Sequence, residues 1–175
     1  MKQTKAIIEI SLGASIITIC SWIAIPMTIS FTLQTLAITL ILSLLEAKKG
    51  VLSIVLYLFL GTIGIPVFSG FRGGFSALIG PTGGYLVGFI LWGLLLIILE
   101  KTSNKILFQI INHFLGLILC YTLGTIWFSM IMKMDILTSL SICVAPFVIF
   151  DILKIAIGVL VANKIKTIIK EKTLN

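Results

Sequence analysis

Long apolar runs separated by short charged stretches make up most of the chain. A helix needs about 20 apolar residues to cross a bilayer, and shorter helices suffice when their neighbours shield them. The charged stretches therefore divide the chain into six predicted transmembrane helices. Their predicted bounds are 6–25, 31–45, 50–63, 83–99, 106–132 and 137–162.

The basic residues are distributed unevenly between the two ends of these helices. With six helices both termini lie on one side, and that side holds ten basic residues against two on the other. Basic residues mark the cytoplasmic side of a membrane protein, so both termini are predicted to be cytoplasmic. Binding of anionic lipid headgroups is a second interpretation of the lysine-rich tail. The ten are Lys2, Lys5, Lys48, Lys49, Lys101, Lys105, Lys164, Lys166, Lys170 and Lys172, and the two are Arg72 and Lys133.

The composition agrees with an all-α integral membrane protein that forms one domain over residues 1–175. Of its residues 59% are hydrophobic and 11% are charged, and the mean hydropathy is +1.22. Soluble globular domains do not have this balance. The net charge of +7 follows from the membrane topology, so we expect no nucleic-acid partner. The three cysteines lie apart in apolar runs, which predicts neither a disulfide nor a metal site.

A glycine-rich segment, residues 64–84, separates the third and fourth predicted helices on the outer side. Residues 61–85 hold eight of the fifteen glycines and the only arginine, Arg72. Such a backbone has no partners in lipid, so it must line a cavity, be buried in protein or lie at the membrane surface. Arg72 is either a solvated loop charge or a cation with space around it, between Gly70 and Gly73, for a bidentate carboxylate partner.

Two opposite charges, Asp151 and Lys154, interrupt the apolar sequence of the sixth predicted helix. Each such charge costs about 2.5–3.5 kcal/mol at the centre of a membrane helix. The i,i+3 spacing puts both side chains on one face, close enough to pair. The pair is therefore either a structural ion pair or part of a polar ligand site, and an ionisable residue inside a membrane favours the second hypothesis.

Weaker signals occur in the first two helices. Thr32 and Gln34 near the outer end of the second helix are candidates for binding a ligand or for bonding another helix. Ser11 and Ser15 form a small-xxx-small pair, which marks a close contact with another helix inside or outside the bundle.

Two common motifs, one for ATP binding and one for metal-dependent hydrolysis, are absent from the sequence. The chain contains no GxxxxGK[ST] phosphate loop and no HExxH motif. A membrane enzyme is therefore disfavoured, and no cofactor is expected. An outward polar pocket without an energy source predicts a binding component that depends on a partner for energy.

Five segments together resemble the BioY family, the biotin-binding S component of energy-coupling factor (ECF) transporters. The resemblance extends from the first predicted helix to the last, and the third and fourth segments are specific in order and spacing. In one departure Ser30 stands where the family commonly has a proline. The segments are Ile25-Pro26, Thr32-Leu33-Gln34-Thr35, LGTIGIPVF at 60–68, GPTGGY at 80–85 and the pair Asp151 and Lys154.

This resemblance implies a six-helix bundle in the bacterial cytoplasmic membrane that captures biotin from outside with high affinity. It implies a transmembrane coupling (T) subunit and two ATPase subunits as partners, with Ser11 and Ser15 at the docking face. Asp151 would then accept a ureido N–H group of biotin, and Lys154 would bond the ureido carbonyl or hold Asp151 ionised.

Further biotin contacts are expected from apolar residues and from the loop cation. Phe68, Phe71 or Tyr85 would contact the thiophane ring and valeryl chain, and Arg72 would meet the carboxylate. The alternatives are an S component for another small vitamin and a structural membrane protein whose ion pair locks the bundle.

Overall fold

The computed structural model describes residues 2–99 and 105–174, which form a helical bundle with one short hairpin. Lys101, one of the ten basic residues named above, lies outside the described residues. The elements are α1 (Lys2–Trp22), β1 (Ala24–Ile25), β2 (Phe31–Thr32), α2 (Gln34–Leu44), α3 (Ala47–Thr62), α4 (Phe75–Ile79), α5 (Gly83–Leu99), α6 (Ile106–Met132), α7 (Ile136–Cys143) and α8 (Val148–Leu174).

The described helices have the lengths and composition of a membrane bundle. Among them Gln3–Trp22 and Ile106–Met132 are long and apolar enough to cross a membrane, and α7 with α8 makes a third span if the bent pair is counted as one. Helices α2 and α5 are shorter and apolar. The number of six spans and the cytoplasmic side of the termini stay predictions from the charge pattern.

The single helix predicted over residues 137–162 is wrong, because it is broken in two. Helices α7 and α8 meet at an angle of 50°. Pro146 lies in the break; it has no N–H to continue the α7 ladder, and it disfavours helical backbone at Ala145. Helix α8 also continues well past residue 162, so that the lysine-rich tail is helical as far as Leu174.

A β-hairpin replaces the predicted ends of the first two helices. Helix α1 ends at Trp22, before the predicted residue 25, and α2 begins at Gln34, after the predicted residue 31. In between, β1 pairs with β2 in antiparallel register, with Ala24 opposite Thr32. Helix α3 starts at Ala47, before the predicted residue 50, whereas α5 and α6 have their predicted bounds.

Helices α5 and α6 pack closely because glycines lie at their contacts. A Cβ atom at Gly116 would overlap the Trp92 ring, and one at Gly124 would overlap the Tyr85 ring. Small residues of this kind let membrane helices approach and gain packing contacts. Two aromatic side chains of α5 are therefore seated against the backbone of α6, and one of them, Tyr85, lines the cavity described below.

A buried hydrogen-bonded group joins α2, α5 and α6. Trp92 Nε1 donates to His113 Nδ1 over 3.2 Å, and His113 Nε2 lies 2.7 Å from Ser43 Oγ. Since an indole N–H only donates, Nδ1 is the acceptor, and the neutral ring carries its proton on Nε2 and donates it to Ser43. Trp92 and His113 lie one turn along their helices from Phe89 and Leu117, which line the cavity.

Candidate functional site

A cavity of about 310 Å³ lies between α2, the glycine-rich segment, α5, α6 and the α7–α8 junction. Its wall contains polar and apolar side chains, and several of the polar ones hydrogen-bond one another around Asp151. Its polar lining residues are Ser30, Thr32, Gln34, Thr35, Ser69, Arg72, Ser76, Thr82, Tyr85, Tyr121, Asp151 and Lys154, and its other lining residues are Ile29, Phe68, Gly73, Ala77, Gly80, Pro81, Leu86, Phe89, Leu117, Cys120, Cys143 and Phe147.

The predicted pairing of Asp151 and Lys154 is present in the structure. Lys154 Nζ lies 2.8 Å from Asp151 Oδ1, and both residues are buried, with 7% and 5% exposure. The break at Pro146 places Asp151 in the first turn of α8 instead of mid-helix. The positive end of a helix dipole stabilises a carboxylate at that position, which lowers the cost of burying it.

Two more side chains hydrogen-bond the Asp151 carboxylate from other helices. Thr35 Oγ1 on α2 donates to Oδ1 over 3.1 Å, and Tyr121 OH on α6 donates to Oδ2 over 2.5 Å. An ionised carboxylate has about four acceptor positions, and Thr35, Tyr121 and Lys154 take three of them. One acceptor position is left for a donor that enters the cavity.

The ammonium group of Lys154 is occupied by the protein itself. Besides Asp151, it donates to the backbone oxygen of Thr32 over 2.7 Å. Its Nζ also lies 3.9 Å from the centre of the Phe31 ring, which is a cation–π contact. An ammonium has three N–H donors, so all three face groups of the protein. Lys154 is therefore held in place by the protein as the ion-pair partner of Asp151.

Gln34 is fixed at the start of α2 with one donor to spare. Its Nε2 donates to Tyr57 OH over 2.7 Å, and its Oε1 lies 3.4 Å from Thr32 Oγ1. An amide nitrogen carries two protons. Within the described part of the chain the second proton has no acceptor. Thr32 and Gln34 thus both line the cavity, and Gln34 also bonds another helix, α3, through Tyr57; contact with a ligand stays a prediction.

The glycine-rich segment folds into a tight turn that carries Arg72 into the cavity wall. Phe68 N donates to the Arg72 oxygen over 2.9 Å, which closes the turn, and Arg72 Nε donates to the Ser69 oxygen over 3.1 Å. Gly73 follows, where a Cβ atom would collide with the backbone oxygens of residues 64 and 65. Gly70 has a φ of +72°; it shapes the turn and is not among the residues that line the cavity.

The predicted aromatic contacts separate into two groups. Phe68 is buried, with its ring edge-on to Tyr57 at 5.5 Å, and it lines the cavity together with Tyr85. Tyr85 OH lies 3.3 Å from Thr125 Oγ1. Phe71 is 63% exposed and stacks on Trp22 instead. Of the three aromatics considered from the sequence, two therefore remain candidates for contact with a ligand.

Sequence reasoning missed Thr35 and Tyr121. Thr35 was part of a quoted motif, but it was given no role. A hydroxyl in an apolar helix bonds its own backbone or a neighbouring helix equally well, so neither residue type signals a site. Their roles become visible only when packing of α2 and α6 against α8 places them on Asp151.

Ser11 and Ser15 lie on an open face of α1. Both are exposed, and Ser15 Oγ bonds only the Ser11 backbone oxygen, at 2.9 Å. The inner contact of α1 is made by Gly13, where a Cβ atom would collide with Ser53 of α3. Within the described residues the small-xxx-small pair is therefore not used for packing inside the bundle.

Comparison with known sequences gives consistent matches over nearly the whole chain. The sequence model of the BioY family matches residues 1–171. The biotin transporter BioY of Thermotoga maritima is 33% identical over 96% of this chain and 99% of its own length. The biotin transporter BioY2 of Lactococcus lactis subsp. cremoris is 40% identical over 88% of this chain and 87% of its own length.

Comparison with solved structures finds the same architecture. A crystal structure of the S-component for biotin from an ECF-type ABC transporter superimposes with a TM-score of 0.87 and 27% identity. The match covers 95% of this chain and 93% of that chain. The helical membrane fold expected from the sequence is thus confirmed, including its S-component type.

Proposed function

This chain belongs to the BioY family, and on that premise we propose that it is the S component of an ECF transporter that captures biotin outside the cell with high affinity and passes it across the cytoplasmic membrane. The observation that carries the proposal is the Asp151 carboxylate, buried in the cavity wall with one acceptor position left open. It is a transport subunit, and the proposal requires no cofactor.

The ureido ring of biotin fits the polar part of the wall. It offers two N–H donors and one carbonyl acceptor. We assign one N–H group to the open acceptor position of Asp151. The three protons of Lys154 face Asp151, Thr32 and Phe31, so the carbonyl is better served by the spare Nε2 proton of Gln34. Lys154 then contributes as the ion-pair partner that holds the carboxylate in place.

The apolar remainder of biotin fits the rest of the cavity. Its thiophane ring and valeryl chain would lie against Phe68, Tyr85 and Phe89. The terminal carboxylate would reach Arg72, whose Nε bonds a backbone oxygen while the two terminal nitrogens stay available in the described structure. A guanidinium of this kind binds carboxylates in a bidentate manner.

Energy and partners follow from the S-component assignment. With no phosphate loop in its sequence, the chain would depend on a T subunit and two ATPase subunits. The exposed pair Ser11 and Ser15 supports docking through α1, because small residues let another helix approach closely. Lipid surrounds the bundle, both termini lie in the cytoplasm, and nucleic acid has no part in this function.

The deciding experiment is mass spectrometry of small molecules released when the purified protein is denatured, followed by titration with biotin. Stoichiometric biotin is the expected result. Release of another vitamin would keep the S-component assignment but replace the substrate. An empty protein that also fails to bind added biotin would favour a structural role for the Asp151–Lys154 pair.

A pair of variants links that result to the site. Asp151→Asn keeps the size of the side chain and removes the charge, and it should abolish measurable biotin binding while the protein still inserts. Asp135→Asn is the matched control, since Asp135 lies outside the cavity and caps α7. Unchanged affinity in Asp151→Asn would remove the carboxylate from the site.

A further inference from the structure

The turn that carries Arg72 has an unfavourable backbone conformation. Phe71 has a φ of +56°, in the left-handed region that residues with a side chain rarely adopt. Gly70 before it has a φ of +72°, which costs a glycine nothing. A phenylalanine at such a position persists only when its surroundings hold it there. The Phe71 side chain must therefore be held by a contact of its own.

The end of α1 provides that contact. The rings of Trp22 and Phe71 stack with centroids 5.0 Å apart and planes 26° apart. Trp22 is itself fixed, because its Nε1 donates to the Pro66 oxygen over 2.8 Å. The preceding residue, Ser21, donates to the Val67 oxygen over 2.5 Å. The end of α1 thus bonds Pro66 and Val67, which precede the turn, and stacks on Phe71 within it.

The stack and the cavity lie on opposite sides of this turn. Phe71 points outward and does not line the cavity, whereas the next residue, Arg72, does. We infer that Phe71 is a positioning residue, whose stack on Trp22 holds the left-handed turn that presents Arg72 to the carboxylate of the ligand. This inference rests on the proposed function, in which Arg72 meets the biotin carboxylate.

Comparison of a charged and an uncharged ligand tests the inference. Dissociation constants for biotin and biotin methyl ester are measured by calorimetry on the purified full chain. Arg72 should give biotin an advantage of about tenfold or more over the ester, the usual range for a charge-assisted hydrogen bond. Arg72→Gln should remove most of it. Phe71→Ala and Trp22→Ala should lower the advantage of biotin over the ester to a similar degree. They should change the affinity for the ester itself less than about twofold, since neither side chain lines the cavity.

Glycine at position 71 distinguishes positioning from general packing. It adopts a positive φ without a stacking partner. Phe71→Gly should therefore retain more of the preference for biotin than Phe71→Ala. The double variant Trp22→Ala/Phe71→Gly should likewise retain more of this preference than the single variant Trp22→Ala. Equal losses in the alanine and glycine variants would overturn the inference.

A readout without ligand separates this inference from the assignment of Arg72. The Phe68 amide, which bonds the Arg72 oxygen, should exchange its hydrogen faster in Phe71→Ala and Trp22→Ala and more slowly again in the double variant with glycine. If exchange follows this order but Arg72→Gln keeps the preference for biotin, the carboxylate contact of Arg72 is wrong and the stack still holds the turn. Wild-type exchange and preference in Phe71→Ala would overturn the inference itself.

Discussion

Tyr121 on α6 donates a hydrogen bond to Asp151 Oδ2 on α8 with an O···O distance of 2.5 Å. Together with Thr35 on α2 it holds the carboxylate from two sides, so the acceptor position left for a ligand has a fixed direction. A preorganised group of this kind binds without the entropy cost of ordering it. The precision of the site therefore depends on three helices, although the charge resides on one.

Tyr121→Phe should weaken biotin binding without unfolding the protein. The hydrogen bond is already made without ligand, so its loss acts on affinity through lost preorganisation of the carboxylate, about 0.5–1.5 kcal/mol for a side chain that must be ordered on binding, or roughly twofold to tenfold. Calorimetric titration of the purified variant measures the loss. Tyr85→Phe is the matched control, because the Tyr85 hydroxyl faces Thr125 and not the carboxylate. Equal effects of the two variants would contradict a specific role for Tyr121.

Lys154→Met should destabilise the protein more than removal of both charges. Methionine leaves Asp151 as a buried charge without its partner, which typically costs about 3–5 kcal/mol. The double variant Asp151→Asn/Lys154→Met removes both charges and should recover much of that stability. Thermal unfolding in detergent provides the comparison. Biotin binding should be lost in both variants, so the double variant should recover stability without recovering binding. A double variant as unstable as Lys154→Met would contradict this account.

The sequence singled out candidate site residues whose charges need an explanation. Asp151 and Lys154 were chosen because a charge in an apolar helix needs a partner or a purpose, and Arg72 because the glycines beside it leave space for a partner. Thr35 and Tyr121 carry no such penalty, and they lie 116 and 30 residues from Asp151 in the chain. Only tertiary packing brings them to the carboxylate, so no local pattern could reveal them.

The fold was predictable where the apolar pattern along the chain marks the end of a helix, and not elsewhere. Uninterrupted apolar segments, bounded by charges or by the glycine-rich segment, predicted α5 and α6 with their observed ends. The break at Pro146 was missed because membrane helices tolerate proline when neighbours satisfy the freed backbone groups. Hydropathy does not change across it, although the break decides that Asp151 lies at a helix start.

Asp135 should make the stability of the protein depend on pH at the start of α7. Its carboxylate accepts a hydrogen bond from the backbone N–H of Thr138 over 2.8 Å, and this bond lowers the pKa of Asp135 below its usual value. Because the folded pKa is the lower one, the stabilisation is fully present above the unfolded pKa of about 3.9 and is lost as the pH falls through the folded pKa.

Thermal unfolding of Asp135→Ala and Asp135→Asn from about pH 7 down to about pH 3 checks this dependence. The advantage of the wild type over the alanine variant should shrink toward acid pH. Asparagine caps a helix without titrating, so the advantage of Asp135→Asn over Asp135→Ala should stay constant. A wild-type advantage that does not change with pH would contradict the proposed cap.

Ser15→Leu should block coupling to the transporter and leave biotin binding intact. Ser15 is exposed on α1 and its hydroxyl bonds only its own helix in the described structure, so a leucine there can extend into lipid without disturbing the bundle. At a docked interface the same leucine would overpack a close helix contact at a cost of about 1–3 kcal/mol, which is roughly fivefold to a hundredfold in affinity.

The measurements for Ser15→Leu are biotin titration in detergent, copurification with the T subunit and ATPases, and biotin uptake by cells. Titration should match the wild type, while copurification and uptake should fall. Ser15→Ala keeps the residue small and should behave as wild type in all three. Thr122→Leu is the matched control for bulk, because Thr122 is exposed on a different helix, α6, and its hydroxyl bonds only the backbone of that helix. Normal copurification of Ser15→Leu would place the docking face elsewhere, because a helix that approaches closely at Ser15 has no space for the larger side chain.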